Sequence, residues 1–137
     1  MAGNIHLEVV TPEKLVVSEE VKIVMAPGSL GEFGVLIGHT PFLTTLKTGG
    51  LKYTDANGKE RAVFVSGGFA EALPDKVTVL AESAERRRDI DLARAKASME
   101  RAQKRLSGEY KEDLDFLRAK LALERALHRI RLIDTKG

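Results

Sequence analysis

Few combinations of side chains in this 137-residue chain could carry covalent chemistry. His6, His39 and His128 are far apart, and none stands at metal-ligand spacing from another ligating residue. The chain has no cysteine, so thiolate nucleophiles and disulfides are excluded and a reducing compartment is permitted. The carboxylates are scattered, with no pair in a glycine-framed loop of the kind that acid–base catalysis needs. The stretch GSLGEFG, residues 28–34, has the glycines of a phosphate loop but precedes no helix signal. An enzyme is the weaker reading: no catalytic residue, no metal and no required cofactor are expected.

Two other stretches hold the chemistry that remains. In ERRRDIDLARAKASMERAQKRL, residues 85–106, eight Arg or Lys stand against four Asp or Glu. Such a pattern suits a grip on a polyanion, a solvated helix, or a site for a smaller anion. In GSLGEFGVLIGHTPFLTTLKTGG, residues 28–50, Gly28, Gly31, Gly34 and Gly38 permit close turns and Pro41 stiffens the loop end. That loop is either a bend inside the fold or an exposed contact surface of fixed shape.

The elements that must position these residues follow from periodicity. Ile5, Leu7 and Val9 alternate with polar residues as in a half-buried strand, and Val21, Ile23 and Met25 repeat the pattern. LKYTDANGKERAVFV predicts a hairpin in which Asn57-Gly58 supplies positive φ angles. A second hairpin is expected to turn at Pro74-Asp75. From residue 85 the period changes. Leu92, Ala95, Met99, Ala102 and Leu106 form one helical stripe, with Asp89 as its cap and Asp91 in its first turn. Phe116, Ala119, Leu123, Ala126, Ile130 and Ile133 form another, starting near Asp113 after a polar turn.

The fold class is therefore an all-β sandwich or flattened barrel over residues 1–84, followed by a two-helix antiparallel hairpin over residues 85–137. Charge divides at the same place. Residues 1–84 carry seven Lys/Arg and ten Asp/Glu, a balance of −3; residues 85–137 carry fifteen and ten, a balance of +5. Leu114, Leu117 and Leu121 lie outside the second stripe and imply a further docking surface, on the sandwich or on another protein. No apolar run reaches the ~20 residues of a membrane span, and the N-terminus lacks a signal peptide's layout, so a soluble protein is expected.

Gly31-Glu32-Phe33-Gly34-Val35-Leu36, then Gly38-His39-Thr40-Pro41, then Leu46-Lys47 and Gly49 resemble the signature of the epsilon subunit of bacterial rotary ATP synthases. FVSGGFAEALPDKVTVLAE resembles that family's next block and DIDLARA the start of its C-terminal helices, so the likeness runs end to end. Ile37 departs from the family's usual proline.

The resemblance implies a non-catalytic central-stalk subunit of a proton-translocating synthase, on the cytoplasmic face of the bacterial inner membrane. Its partners would be the gamma subunit and the c ring, and the alpha and beta subunits when the hairpin extends and inhibits ATP hydrolysis. Glu32 and Gly38, His39, Thr40, Pro41 and Phe42 would touch the ring. In some relatives the folded hairpin binds ATP as a regulatory ligand through Ile/Leu-Asp-x-x-Arg-Ala. Ile90, Asp91, Arg94 and Ala95 match that motif, and Arg101, Arg125 and Arg129 correspond to further positions. At 100° per residue Ile90, Arg94 and Arg101 lie away from the Leu92–Leu106 stripe, so ATP binding requires the arginine face to turn inward.

The rival class is a basic hairpin acting as a nucleic-acid or protein-binding adaptor. Glu100, Glu109, Glu112, Asp113, Asp115 and Glu124 interrupt the positive charge, and only Tyr110 and Phe116 could stack on bases. Both features speak against nucleic acid.

Overall fold

The computed structural model describes residues 3–108 and 113–134. Nine strands come first: β1 (Ile5–Val10), β2 (Leu15–Gly28), β3 (Gly31–Val35), β4 (Phe42–Thr45), β5 (Gly49–Asp55), β6 (Glu60–Ser66), β7 (Phe69–Leu73), β8 (Lys76–Leu80) and β9 (Ser83–Arg86). A 3-10 turn at Arg87–Asp89 leads into α1 (Leu92–Ser107), and α2 spans Asp113–Asp134. Residues 109–112 of the polar turn expected in SGEYKED, residues 107–113, lie outside the described residues, as does the side chain of Leu114.

The strands form one sheet in the order β4-β7-β8-β1-β2-β5-β6-β9, with β3 also on β2. Antiparallel pairing prevails, and among the described residues only β1 and β8 run parallel. A single buried cluster draws Ile5, Leu7, Val24, Leu51, Val63, Val65, Val77 and Val79 from strands across that order. The sheet therefore wraps around one core as a sandwich. β9 straddles the charge break at residue 84, pairing Ser83–Arg86 with Val63–Ser66.

β2 differs from the strict alternation expected of it. Val17 and Val21 are buried, but the next inward residues are Val24 and Ala26, while Ile23 and Met25 are only half-buried. The register shifts between Val21 and Ile23, a bulge that moves the inward set by one residue. The bulge falls where β2 changes partners. Its residues 15–21 pair with β1, and residues 24–28 pair with β3.

The β5–β6 hairpin also has a different turn from the one expected. Gly58 takes φ +83°, but no residue other than glycine has positive φ among the described residues, so Asn57 does not. The loop is held instead by Asp55. Its carboxylate accepts from the Asn57 and Lys59 backbone N–H groups, both at 2.9 Å, which makes a four-residue turn stable without a left-handed asparagine.

The helices pack through their smallest residues. Ala95 and Ala102 of α1 and Ala119 and Ala126 of α2 are buried, each pair seven residues apart, and the absence of bulk lets the helices approach closely. α2 rests on the outer face of β5 and β6. There Gly50 stands directly opposite Phe64, and the notch it leaves takes Leu132; a Cβ at Gly50 would lie 2.8 Å from Leu132 Cδ1. Phe64 is fully buried yet does not belong to the sandwich core, because it points outward under the helix. The surplus apolar face has a different outcome. Leu117 and Leu121 stay 50% and 43% exposed, so the sandwich does not cover them.

Candidate functional site

The helix start sets the geometry of the motif residues. After the 3-10 turn, Ile90 and Asp91 are extended, and Asp91 caps α1 by accepting the Arg94 N–H at 3.0 Å. The cap is thus Asp91, two residues later than the expected Asp89. The turn at Arg87–Asp89 takes up the intervening chain, and Asp89 sits at its end.

This start opens a cleft of about 400 Å³ between sandwich and hairpin. Ile90, Asp91, Arg94 and Ala95 line it from α1 and its cap, and Arg129 lines it from α2. Arg101 and Arg125 do not line the cleft. Arg101 reaches its rim, donating from Nη2 to Ser98 Oγ at 3.0 Å, while Arg125 sits half-buried one turn before Arg129. The arginine face turns toward the cleft at Arg94 and away from it by Arg101.

Residues beyond the motif complete the walls: Glu13 and Lys14 from the β1–β2 connection, Ala84 and Glu85 from β9, Asp89, and Ser98. Ser98 is legible as the residue one turn after Arg94. Glu13, Lys14 and Glu85 carried no local signal, because only the tertiary fold brings them there.

The electrostatics of the cleft are mixed. Lys14, Arg94 and Arg129 face Glu13, Glu85, Asp89 and Asp91, three cations against four carboxylates. Arg129 is already engaged, with Nε 3.0 Å from Glu85 Oε1 and its guanidinium 4.2 Å above the Phe64 ring centre. The same contacts hold α2 onto the sandwich. A polyphosphate entering the cleft meets Arg94 and Lys14 as exposed cations and must compete with Glu85 for Arg129. Apolar contact from Ile90 and Ala95 and acceptors on Asp91 suit a heterocyclic base with an amine. A capped carboxylate retains lone pairs for that purpose.

The second set of residues lies at one end of the sandwich. Glu32 is exposed on β3, and Phe33 beside it meets Phe42 edge-on at 5.0 Å. Phe42 also packs edge-on against His39 at 5.1 Å, so one aromatic stack joins β3 to the loop. Gly38, at φ +79°, donates its N–H to the Pro74 carbonyl at 2.6 Å, and His39 Nδ1 bonds the Thr40 carbonyl at 2.7 Å. Ile37 packs against the core without the rigidity of proline. The loop's shape is fixed, and Glu32, Thr40 and Pro41 remain exposed.

A third surface lies mostly within the block FVSGGFAEALPDKVTVLAE, for which the sequence suggested no site. On the outer face of β4, β7 and β8, Leu43 is 68% exposed, Phe69 51% and Leu80 53%, with Phe69 directly opposite Leu80. An open apolar groove of about 760 Å³ lies beside them. Among the described residues no His/Cys/Asp/Glu group could hold a metal ion, and no helix is long and apolar enough to cross a membrane.

Comparison with known proteins agrees with this architecture. Residues 4–87 match the family model "ATP synthase, Delta/Epsilon chain, beta-sandwich domain", and residues 88–134 match "ATP synthase, Delta/Epsilon chain, long alpha-helix domain". The chain is 70% identical over 109 residues to an ATP synthase epsilon chain of Desulfatibacillum aliphaticivorans, covering 80% of this chain and 77% of the relative. It is 67% identical over 106 residues to the epsilon chain of Desulfosudis oleivorans, covering 77% and 80%. Among solved structures, a chain of the Euglena gracilis mitochondrial ATP synthase (OSCP/F1/c-ring) superimposes with TM-score 0.79 at 23% identity, over 93% of this chain and 79% of that one. A chain of the Tetrahymena thermophila mitochondrial ATP synthase central stalk and c-ring gives 0.62 at 12% identity, over 94% and 96%. At these identities the structural likeness speaks for the fold.

Proposed function

The chain belongs to the epsilon-chain family of bacterial ATP synthases, and from that membership we propose that it is a non-catalytic rotor subunit that couples the gamma shaft to the c ring and restrains ATP hydrolysis. The observation that carries this reading is the way the hairpin is attached. α2 rests on the sandwich through a small contact around Leu132, Arg129 and Phe64, while Phe116, Leu117 and Leu121 stay exposed. A hairpin with so limited a hold and an uncovered apolar face can leave the sandwich for a second partner.

The other surfaces divide the remaining tasks. The loop of Glu32 and Gly38–Phe42 has a fixed shape and exposed polar tips, which suits contact with the polar loops of the c ring. The outer face of β4, β7 and β8 suits a broad apolar contact with gamma. Basic residues of an extended hairpin would meet acidic loops of the alpha and beta subunits. The protein would then sit peripherally on the cytoplasmic face of the inner membrane, held there by the complex.

The test is removal of residues 89–137 in the assembled synthase. Assembly and synthesis should persist while ATP hydrolysis rises; unchanged hydrolysis would refute the inhibitory role.

We further propose that the 400 Å³ cleft takes ATP as a regulatory ligand that keeps the hairpin folded, because it gathers Ile90, Asp91, Arg94, Ala95 and Arg129 on facing elements. Calorimetry of the isolated subunit with ATP should show heat that Arg94→Ala abolishes. Heat no larger than the dilution blank at millimolar ATP would remove the site.

A further inference from the structure

The consecutive arginines Arg86, Arg87 and Arg88 belong to neither the nucleotide cleft nor the loop. With Lys59 and Arg61 of the β5–β6 hairpin they surround a separate cleft of about 190 Å³, in which Glu60 is the sole acidic wall residue among the described residues. Three stretches of chain meet there: the β5–β6 turn, the last strand, and the 3-10 turn from which α1 departs.

Two of these guanidinium groups are already fixed. Arg86 donates from Nε to the Val16 carbonyl at 3.0 Å and from Nη1 to the Tyr53 hydroxyl at 3.2 Å, and its Nη2 lies 3.6 Å from Glu19. Arg61 Nε lies 3.3 Å from Asp55 Oδ2. Side chains held in place this way lose little further freedom when a ligand arrives. Glu19 and Asp55 thus pair with Arg86 and Arg61, which leaves the cations at the rim to meet a ligand. Lys59 and Arg88 are exposed at the rim, with no carboxylate in ion-pair reach among the described residues.

We propose that this cleft binds a small phosphate oxyanion, either free or as the end group of an ester. Its volume is below the ~300 Å³ at which pockets for whole drug-sized ligands begin, which separates it from the nucleotide cleft. Forked guanidinium donors beside a lysine point charge are the usual means of recognising phosphate oxygens. An ion bound there joins the β5–β6 turn to the 3-10 turn and stiffens the segment from which the hairpin leaves. That regulatory consequence rests on the mobile-hairpin reading above, whereas the binding itself does not.

The test uses the full-length ¹⁵N-labelled protein titrated with inorganic phosphate and with glycerol phosphate, ionic strength being held constant with sodium chloride. Saturable amide shifts are expected in both 59–61 and 86–88. The dissociation constant should rise about tenfold in Lys59→Ser and in Arg88→Ser, exposed positions whose replacement leaves the core intact, and should be unchanged in Arg94→Ala. Weaker binding of glycerol phosphate would identify the free ion as the ligand, and equal binding an ester end group. Shifts that never saturate, that are indifferent to Lys59→Ser and Arg88→Ser, or that Arg94→Ala abolishes would overturn the proposal.

Discussion

Phe64 owes its burial to the hairpin, so Phe64→Ala should loosen the hairpin more than the sandwich. Val63 and Val65 on either side of it face the core, whereas Phe64 lies under Arg129 and beside the notch at Gly50. Undocking exposes a ring that is 0% accessible when docked. Full burial of such a side chain contributes about 1.5–3 kcal/mol. The guanidinium 4.2 Å above the ring adds about 0.5–1 kcal/mol at a partly exposed site. Phe64→Ala should therefore shift the docking equilibrium by about 2–4 kcal/mol, roughly 30- to 700-fold at ~1.4 kcal/mol per tenfold. The chain has no native cysteine, so dyes can be placed on Asn57→Cys in the β5–β6 turn and Glu124→Cys on α2 without background labelling. Single-molecule energy transfer across a urea series then gives the docking free energy. Leu132→Ala removes the contact from the helix side with the sandwich untouched, and the two changes should be less than additive. An unaltered docking free energy in Phe64→Ala, with the sandwich still folded, would show that the hairpin does not bury this ring.

Two further predictions concern protons. The Lys59 N–H, then Arg61 and the Asn57 N–H, hold the Asp55 carboxyl below its ordinary value of 3.8. A depressed carboxylate pKa contributes stability that is present above the unfolded value and lost as pH falls through the folded one. Asp55→Asn should thus lower the thermal midpoint at neutral pH, with the difference from the parent protein vanishing in strong acid. His128 on α2 is pushed below 6.5 by burial and by the nearby charges of Arg131 and Lys47, against an upward pull from Glu124. A histidine with a lowered pKa favours the neutral folded form, so its contribution is present above 6.5 and is lost as pH falls from there through the folded pKa. Lys47 belongs to the sandwich and His128 to the hairpin, so docking should weaken on acidification in the same energy-transfer assay. His128→Gln should flatten that dependence.

Much of this protein was legible in its residues because the relevant signals are local. The alternation in IHLEVV, the Pro74-Asp75 turn and the first helical stripe are carried by near neighbours along the chain and recur in the structure, whereas the second stripe recurs only in part, with Phe116 exposed and Leu132 rather than Ile133 buried. The switch from a period of two to one of 3.6 by itself separates sandwich from hairpin. The motif residues Ile90 to Ala95 share one cleft because they lie within one turn of the start of α1. What failed locally failed for a physical reason. The bulge after Val21 answers to the partners of β2, Asp55 rather than Asn57 supports its turn, and the 3-10 turn delays the cap to Asp91. Only the tertiary structure brought Glu85 to Arg129, set Leu132 into the notch at Gly50, and assembled Arg86–Arg88 with Lys59 and Arg61. These groups lie far apart along the chain. Their meeting depends on how the sheet wraps and where the hairpin rests, which no window of sequence contains.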